Sequence, residues 1–317
     1  SDLTDENNAN SKIYTLMAAI EKGSGSSESV VKGWLAKAVT AKRSKRWVCS
    51  NCKSQGNWEP VCKKCNSFST MEWIEPIEDA ELNNDQTEIL FIIHGNSRNA
   101  DGYIEVWANH AKDKNIILIA PEFSRSKFSN YNTLQMSSST GKILKNRDLY
   151  LNNSIDIMFN HYKNLFGVQT DLYKIYGHSG GAQFVHRYLL MSDAPKVKTA
   201  VAANAGWYTF LDGGSFPYGL KEPPIGLTSK NIRDFLSMDL HIHIGSHDVK
   251  VTSSLNQSDG AMRQGPNRFK RAINFYQSVS TMTEQNNLDF NWSYKEIRGV
   301  DHSNRKMAPS AAAVLID

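Results

Sequence analysis

The chain has 317 residues, of which 40% are hydrophobic and 21% charged, a globular composition that excludes disorder throughout and allows one large domain plus a small one. The 36 Lys and Arg against 32 Asp and Glu give a net charge of +4, too small a surplus to indicate a nucleic-acid partner. Because no long apolar run occurs and the first residues, SDLTDENNANSK, are polar and acidic, we expect a soluble, cytoplasmic protein without a membrane span.

Residues 1–45 predict a helical N-terminal segment. Apolar residues recur at helical spacing in SKIYTLMAAIEK, 11–22, and GSGSS, 23–27, interrupts that pattern with a flexible joint. A second helix is predicted over 28–41. Its basic end is typical of a solvated helix terminus beside the negative pole of the helix dipole.

All four cysteines fall in one short segment, as the pairs Cys49-x2-Cys52 and Cys62-x2-Cys65. Two such thiolate pairs favour one tetrahedral zinc or iron ion, and four protein ligands leave no open position for a substrate. Two disulfides or unrelated thiols remain the alternatives. We therefore predict a structural zinc knuckle over 46–76 and no cofactor for catalysis.

The residues RWVCSNCKSQGNWEPVCKKCNSFSTMEWIEP, 46–76, with their three tryptophans, resemble the C-terminal end of bacterial HemY-like tetratricopeptide proteins. In that family a short zinc-ribbon or rubredoxin-like knuckle follows a helical region. The resemblance covers about residues 28–76 and implies a small zinc-ribbon domain. The polar, acidic stretch that follows, 77–88, fits a linker.

From residue 89 onwards, short β-branched runs alternate with helical stretches, a pattern that predicts an α/β domain over 89–317 with a mostly parallel sheet. The predicted strands are 89–93, 115–120, 172–176, 198–203, 240–244 and 292–297. The predicted helices lie near 103–113, 149–166, 180–192, 266–286 and 307–316.

The motif Gly177-His178-Ser179-Gly180-Gly181 lies between a predicted strand and a predicted helix, the context of a nucleophile elbow. Its glycines permit the tight strand-to-helix turn that exposes the serine. The alternative is a glycine-rich loop without chemistry. The placement of the motif favours Ser179 as a nucleophile.

A serine hydroxyl needs a histidine to accept its proton and an acid to orient that histidine. Asp248 follows the predicted strand 240–244, and His302 lies in a loop before the last predicted helix. This chain order, nucleophile then acid then histidine, favours Ser179, Asp248 and His302 as a triad. Asp259 and Asp239 are weaker candidates for the acid.

The oxyanion of an acyl intermediate needs two backbone N–H donors. Gly180, after the nucleophile, supplies the first, and Asn96, after an early strand that ends in His94-Gly95, is expected to supply the second in preference to Ser97. Substrate contacts are expected from the aromatic-rich excursion 204–239. Trp207 and Tyr208 are its best candidates for lining an apolar or aromatic-lined acyl pocket, and the alternative for each is that it packs the loop onto the sheet.

Four segments of the α/β region are similar to the α/β-hydrolase superfamily, and especially to bacterial poly(3-hydroxybutyrate) depolymerase and feruloyl-esterase-like enzymes. They are IIHGNSRNADGY, YGHSGGAQFVHRYLL, AANAGWYTF and GVDHSNRKMAP. The resemblance implies a serine esterase mechanism and does not name a substrate.

We therefore expect a serine hydrolase that cleaves carboxylic esters through an acyl-enzyme, with small-molecule or polymeric substrates that include polyesters and aryl esters. One alternative is another acyl hydrolase on the same triad, such as a peptidase, thioesterase or lactonase. The other is a non-catalytic binding or assembly protein that uses the zinc knuckle.

Overall fold

The computed structural model describes residues 86–112 and 114–316, together with the backbone of three short strands near the N-terminus. These strands are β1 (Trp47–Cys49), β2 (Gln55–Gly56) and β3 (Met71–Trp73), and they form an antiparallel sheet in the order β2-β1-β3. The predicted N-terminal helices, the side chains of the four cysteines and the linker up to residue 85 lie outside the described residues.

The main sheet has six strands, all parallel, in the order β5-β4-β6-β7-β8-β9. Each of them matches a predicted strand to within two residues at either end, and the predicted α/β class with a mostly parallel sheet is confirmed. Their bounds are β4 (Glu88–Ile93), β5 (Ile116–Ile119), β6 (Tyr173–His178), β7 (Val197–Ala203), β8 (Leu240–Gly245) and β9 (Trp292–Ile297).

Seven α-helices occur among the described residues, and none of these is long and apolar enough to cross a membrane. The five predicted helices are present. Two more, α4 and α5, were not predicted. The bounds are α1 (Ala100–Ala108), α2 (Ser154–Phe166), α3 (Gly180–Met191), α4 (Ser229–Ser237), α5 (Asp259–Met262), α6 (Arg268–Gln285) and α7 (Asn304–Leu315).

Alternate residues of the central strands pack on opposite faces of the sheet. In β4, Ile89, Phe91 and Ile93 join a core that includes α2, α3 and α6, whereas Leu90 and Ile92 join a second core under α1 and α7. Both faces are covered, which explains why the central strands read as continuous apolar runs rather than as alternating ones. Every residue of α3 is buried, so this helix is held from all sides.

The parallel arrangement brings the carboxyl ends of the strands to one edge of the sheet. Ser179 follows β6, Asn204 follows β7, Asp248 follows β8 and His302 follows β9. Ligands of open α/β sheets bind outside this edge, so the fold alone predicts a ligand-binding site there.

The Trp107→Ala substitution tests the core under α1. Trp107 is 0% exposed and its ring packs 4.6 Å from the ring of Tyr176, measured between centroids. We expect its removal to lower the free energy of unfolding by about 3–5 kcal/mol, measured by urea denaturation. Leu172→Ala, at a side chain that is 45% exposed, is the control and should cost less than about 0.5 kcal/mol. Equal losses in the two variants would contradict this description of the core.

Candidate active site

Ser179 occupies a sharp turn between β6 and α3, with φ of 59° and ψ of −117°. A residue other than glycine seldom adopts this backbone conformation, and such strain is typical of functional positions. The turn also needs glycine on both sides. A Cβ on Gly177 would collide with the backbone of Gly181, and a Cβ on Gly181 would collide with the carbonyl of Ile93.

The structure brings the three residues of the predicted triad together. His302 Nε2 lies 2.9 Å from Ser179 Oγ, and His302 Nδ1 lies 2.7 Å from Asp248 Oδ2. Asp248 is 1% exposed and the His302 side chain is 29% exposed, so the carboxylate is inside and the ring faces the solvent edge. Asp239 precedes β8 and Asp259 begins α5, and neither hydrogen-bonds to His302.

A buried arginine, which the sequence patterns did not single out, accompanies the triad acid. Arg268 begins α6, and its Nη1 lies 3.5 Å from Asp248 Oδ1, with both side chains almost fully buried. The backbone N–H of Phe269 also donates to the Asp248 carbonyl. A buried carboxylate needs such partners, because an unpaired buried charge strongly destabilises the fold. The N-terminus of α6 therefore fixes the position of Asp248.

Asn204 ties three strand ends together, and it too was missed at the sequence level. Its Oδ1 accepts from the N–H of Gly245 at the end of β8, and its Nδ2 donates to the carbonyl of Asp301 beside His302. Its own N–H donates to the His243 carbonyl. The side chain thus links the loop that carries the histidine to the strand that leads to the acid.

His178 lies beneath the triad histidine as a neutral ring. The rings of His178 and His302 are 4.9 Å apart, and His178 Nδ1 lies 3.0 Å from the hydroxyl of Tyr103. Burial first, and then the charges of His302 and Arg268, hold the pKa of His178 well below its usual range. His178 therefore adds no second positive charge where His302 would become protonated.

His94 anchors the loop that follows β4. The N–H of Phe123 donates to His94 Nε2, so the ring proton is on Nδ1, which donates to the Gly95 carbonyl. Tyr131 donates its hydroxyl proton to the His94 carbonyl. Burial lowers the pKa of His94 to about 4, so the ring is neutral near neutral pH, and both of its nitrogens are occupied by backbone groups, which fits a structural role.

The two predicted oxyanion donors come from neighbouring backbone segments. Gly180 is the first residue of α3, where helix geometry leaves the N–H without an intrahelical acceptor. The side chain of Asn96 lies against Gly180, and a Cβ on Gly180 would collide with its Oδ1. The loop after β4 and the start of α3 therefore flank Ser179 from two directions.

A cleft of about 550 Å³ opens beside this site. Asn96 lines it, as does Gln183, whose N–H donates to the Ser179 carbonyl one turn into α3. The other lining residues are mostly polar: Arg98, Arg125, Ser129, Asn130, Asn132, Ser139, Gly206, Trp207, Ser253, Ser254, Leu255 and Asn256. The cleft is thus polar where the sequence predicted an apolar acyl pocket.

The two aromatic residues expected to contact substrate lie in different surroundings. Trp207 lines the cleft, with the Arg187 guanidinium 3.9 Å from the centre of its ring. Tyr208 is fully buried and stacks on Phe275 of α6, with ring centroids 4.4 Å apart. Trp207 therefore borders the cleft, whereas Tyr208 lies in the core, because α6 packs against it.

Within the part of the chain that the structure describes, no group of three or more His, Cys, Asp or Glu side chains is arranged to hold a metal ion. The four cysteines of the predicted zinc knuckle lie outside that part of the chain, and their metal site stays a prediction.

The fold resembles that of solved hydrolases. Poly(aspartic acid) hydrolase-1 from Sphingomonas sp. KT-1 is 34% identical, with a TM-score of 0.67, over 73% of this chain and 88% of that one. A poly(3-hydroxybutyrate) depolymerase, LpqC, from Bordetella parapertussis is 26% identical, with a TM-score of 0.66, over 74% of this chain and 80% of that one. No protein-family profile and no curated protein sequence matches.

The parallel sheet, the strained turn at Ser179 and this likeness define the class of the protein as a hydrolase. The chain belongs to the α/β-hydrolase superfamily.

The Gly181→Ala substitution tests the tight turn. Its Cβ would meet backbone atoms of β4, which have no room to move, so we expect a loss of about 1–3 kcal/mol or more in the free energy of unfolding. Gly213→Ala is the matched control, because no atom lies within 4 Å of its added Cβ. Urea denaturation of both variants measures the difference. A neutral Gly181→Ala would mean that β4 and α3 are not in contact.

Proposed function

We propose that the protein is a serine hydrolase of carboxylic esters, with Ser179 as nucleophile, His302 as general base and acid, and Asp248 as the residue that orients the histidine. The observation that carries the proposal is the continuous hydrogen-bonded row from Ser179 Oγ through the His302 ring to Asp248, on a strained strand-to-helix turn. Geometry and chain order both fit the roles of such a triad.

Acylation begins when Ser179 Oγ attacks the carbonyl carbon of the ester and its proton passes to His302 Nε2. Asp248 accepts a hydrogen bond from Nδ1 and stabilises the imidazolium that forms. The tetrahedral oxyanion accepts hydrogen bonds from the N–H groups of Gly180 and Asn96. When the intermediate collapses, His302 returns the proton to the departing alkoxide, and an acyl-serine remains.

Deacylation repeats these steps with water. His302 Nε2 takes a proton from the water, whose oxygen attacks the acyl-serine carbonyl, and the same two N–H groups hold the second oxyanion. The proton then returns to Ser179 Oγ, and the carboxylic acid leaves. The neutral His178 beneath the ring favours both steps, because it does not repel the transient charge on His302.

Replacing Ser179 with Ala tests the nucleophile. We expect kcat for p-nitrophenyl esters to fall by more than about a thousandfold, because the acyl-enzyme cannot form. Labelling by a fluorophosphonate probe should disappear with it, since only an activated serine reacts. Ser237→Ala, at an exposed serine on the end of α4, is the control and should keep both activities. Undiminished hydrolysis by folded Ser179→Ala protein would refute the assignment.

A second candidate is cleavage of another acyl bond by the same triad, as in a peptidase, thioesterase or lactonase. The 34% identity to a poly(aspartic acid) hydrolase favours an amide-linked polymer among these. Matched substrates with an ester, thioester, lactone or amide at the same acyl group separate the candidates by their kcat/KM values.

The non-catalytic alternative assigns the chain a binding or assembly role through its zinc knuckle. It requires that Ser179 be unreactive toward the fluorophosphonate probe in folded protein. The orientation of His302 toward Ser179 argues against it, because a triad without function has no need of this alignment.

We also propose a structural zinc ion on Cys49, Cys52, Cys62 and Cys65. Cys49 ends β1, Cys52 falls between β1 and β2 in the sequence, and the second pair falls between β2 and β3. Two cysteine pairs on the connections of a small antiparallel sheet fit a zinc ribbon.

The double variant Cys52→Ser/Cys65→Ser tests that site. Elemental analysis of the purified unmodified chain should give about one zinc per chain, and the variant should lose it, because each thiolate pair is then incomplete. Turnover by Ser179 should persist, since its proposed mechanism uses no metal. Iron in place of zinc, or zinc retained by the variant, would contradict the proposal.

A further inference from the structure

We infer that the cleft beside Ser179 binds a substrate with carboxylate groups close to its scissile acyl bond, and that Arg98 and Arg125 recognise those groups. The inference rests on the proposed hydrolase function, because it concerns the same site. Its basis is the charge of the cleft. Among the described residues that line it are two arginines and no aspartate or glutamate.

The guanidinium of Arg98 is hydrogen-bonded to neutral backbone carbonyls, which do not cancel its positive charge. Its Nη1 donates to the carbonyls of Phe123 and Phe128, and its Nη2 donates to the carbonyl of Ser129. The guanidinium also lies 4.1 Å from the centre of the Tyr131 ring. These neutral partners fix the group in place and leave its full charge beside the cleft.

Arg125 places a second cation next to the first. It is exposed, and its Nη2 donates to the Asn96 carbonyl over 3.0 Å. Burial lowers the pKa of Arg98, and the charge of Arg125 lowers it further, so the two guanidinium groups repel each other. A bound anion would remove that repulsion, which makes the pair a ready site for a carboxylate.

Arg187 adds a charge from beneath the cleft floor. It is fully buried, and its Nη1 donates to the carbonyls of Asn132 and Gln183, while its guanidinium stacks on Trp207. All three of these residues line the cleft. Burial lowers the pKa of Arg187 to about 9, so it is still a cation at neutral pH.

Arg271 acts in the same way through Gly206, another lining residue. Its Nη1 donates to the Gly206 carbonyl over 2.8 Å, and its Nε donates to the Gly265 carbonyl. Among the arginines described above, Arg268 is the one that contacts a carboxylate, and its partner is Asp248. Charges behind a low-dielectric wall focus their field into the adjoining cleft, so the cleft attracts anions.

The position of Arg125 relates the anion to the reacting bond. Asn96 accepts from Arg125 through its carbonyl, while its side chain lies against Gly180, the residue after Ser179. Arg125 therefore contacts the same loop residue that packs beside Gly180, which places a carboxylate bound to Arg125 near the scissile bond. The recognised charge thus belongs to the group next to the scissile bond, such as the neighbouring unit of an acidic oligomer.

Two p-nitrophenyl esters with equal chain length test the inference. Mono-p-nitrophenyl adipate carries a terminal carboxylate, and the corresponding adipamate carries a neutral amide of the same shape. We expect kcat/KM to be about tenfold or more higher for the adipate, and this preference to shrink at high salt. Arg125→Gln should lower kcat/KM for the adipate about tenfold more than for the adipamate.

Arg233→Gln is the matched control, because it removes the same charge from an exposed position on α4, outside the cleft lining. It should leave the adipate preference unchanged. Equal kcat/KM values for the two esters in the unmodified protein, or a preference that survives in both Arg125→Gln and Arg98→Gln, would overturn the inference while the hydrolase function stands.

A binding measurement separates the inference from the proposed function if neither ester is hydrolysed. Calorimetric titration of hexa-aspartate and hexa-asparagine into Ser179→Ala protein needs no turnover. Salt-sensitive binding of the aspartate peptide alone, weakened about tenfold by Arg125→Gln, supports the cationic cleft even without esterase activity. Equal binding of the two peptides, or binding of neither, refutes it.

Discussion

The backbone of α3 approaches the end of β4 so closely at Gly181 that no side chain fits between them. This contact fixes the tight turn in which Ser179 adopts its strained conformation, and it places Gly180 against the Asn96 side chain of the loop after β4. It also packs a fully buried helix against the centre of the sheet, so the core on this face of the sheet depends on the same approach. The site is therefore as rigid as the middle of the fold, which suits a reaction that needs preorganised donors.

The regular parts of the fold and the strand-to-helix turn at Ser179 could be read from the sequence because their signals are local. A parallel strand covered on both faces is an apolar run, as in ILFII of β4, and the turn at Ser179 has its own glycine pattern. Asn204 and Arg268 could not be found this way. Their roles arise only where β7, β8, the His302 loop and α6 meet, and each residue type is common in loops and at helix starts.

The substrate side of the site differs from its sequence prediction for a similar reason. Aromatic residues after β7 indicated an apolar pocket, but Tyr208 stacks on Phe275, more than sixty positions further along the chain. The cleft is formed instead mostly by loops that are far apart in the sequence, and no single loop has a sequence pattern that indicates a substrate site. Its arginines are buried or fixed by carbonyl groups, and Arg268 compensates Asp248 without cancelling the others. The Asp248–Arg268 pair is thus separate from the arginines that line the cleft.

Four buried, neutral histidines affect how the stability of the fold depends on pH. Burial lowers the pKa of His94 to about 4 and that of His243 to about 3, and it holds those of His178 and His186 well below the usual range. Once the chain unfolds, all four bind protons near pH 6.5. The unfolded state therefore takes up more protons than the native state as the pH falls below about 6.5, and acid favours unfolding. Histidines that take no part in the proposed proton transfer thus make the fold less stable in acid.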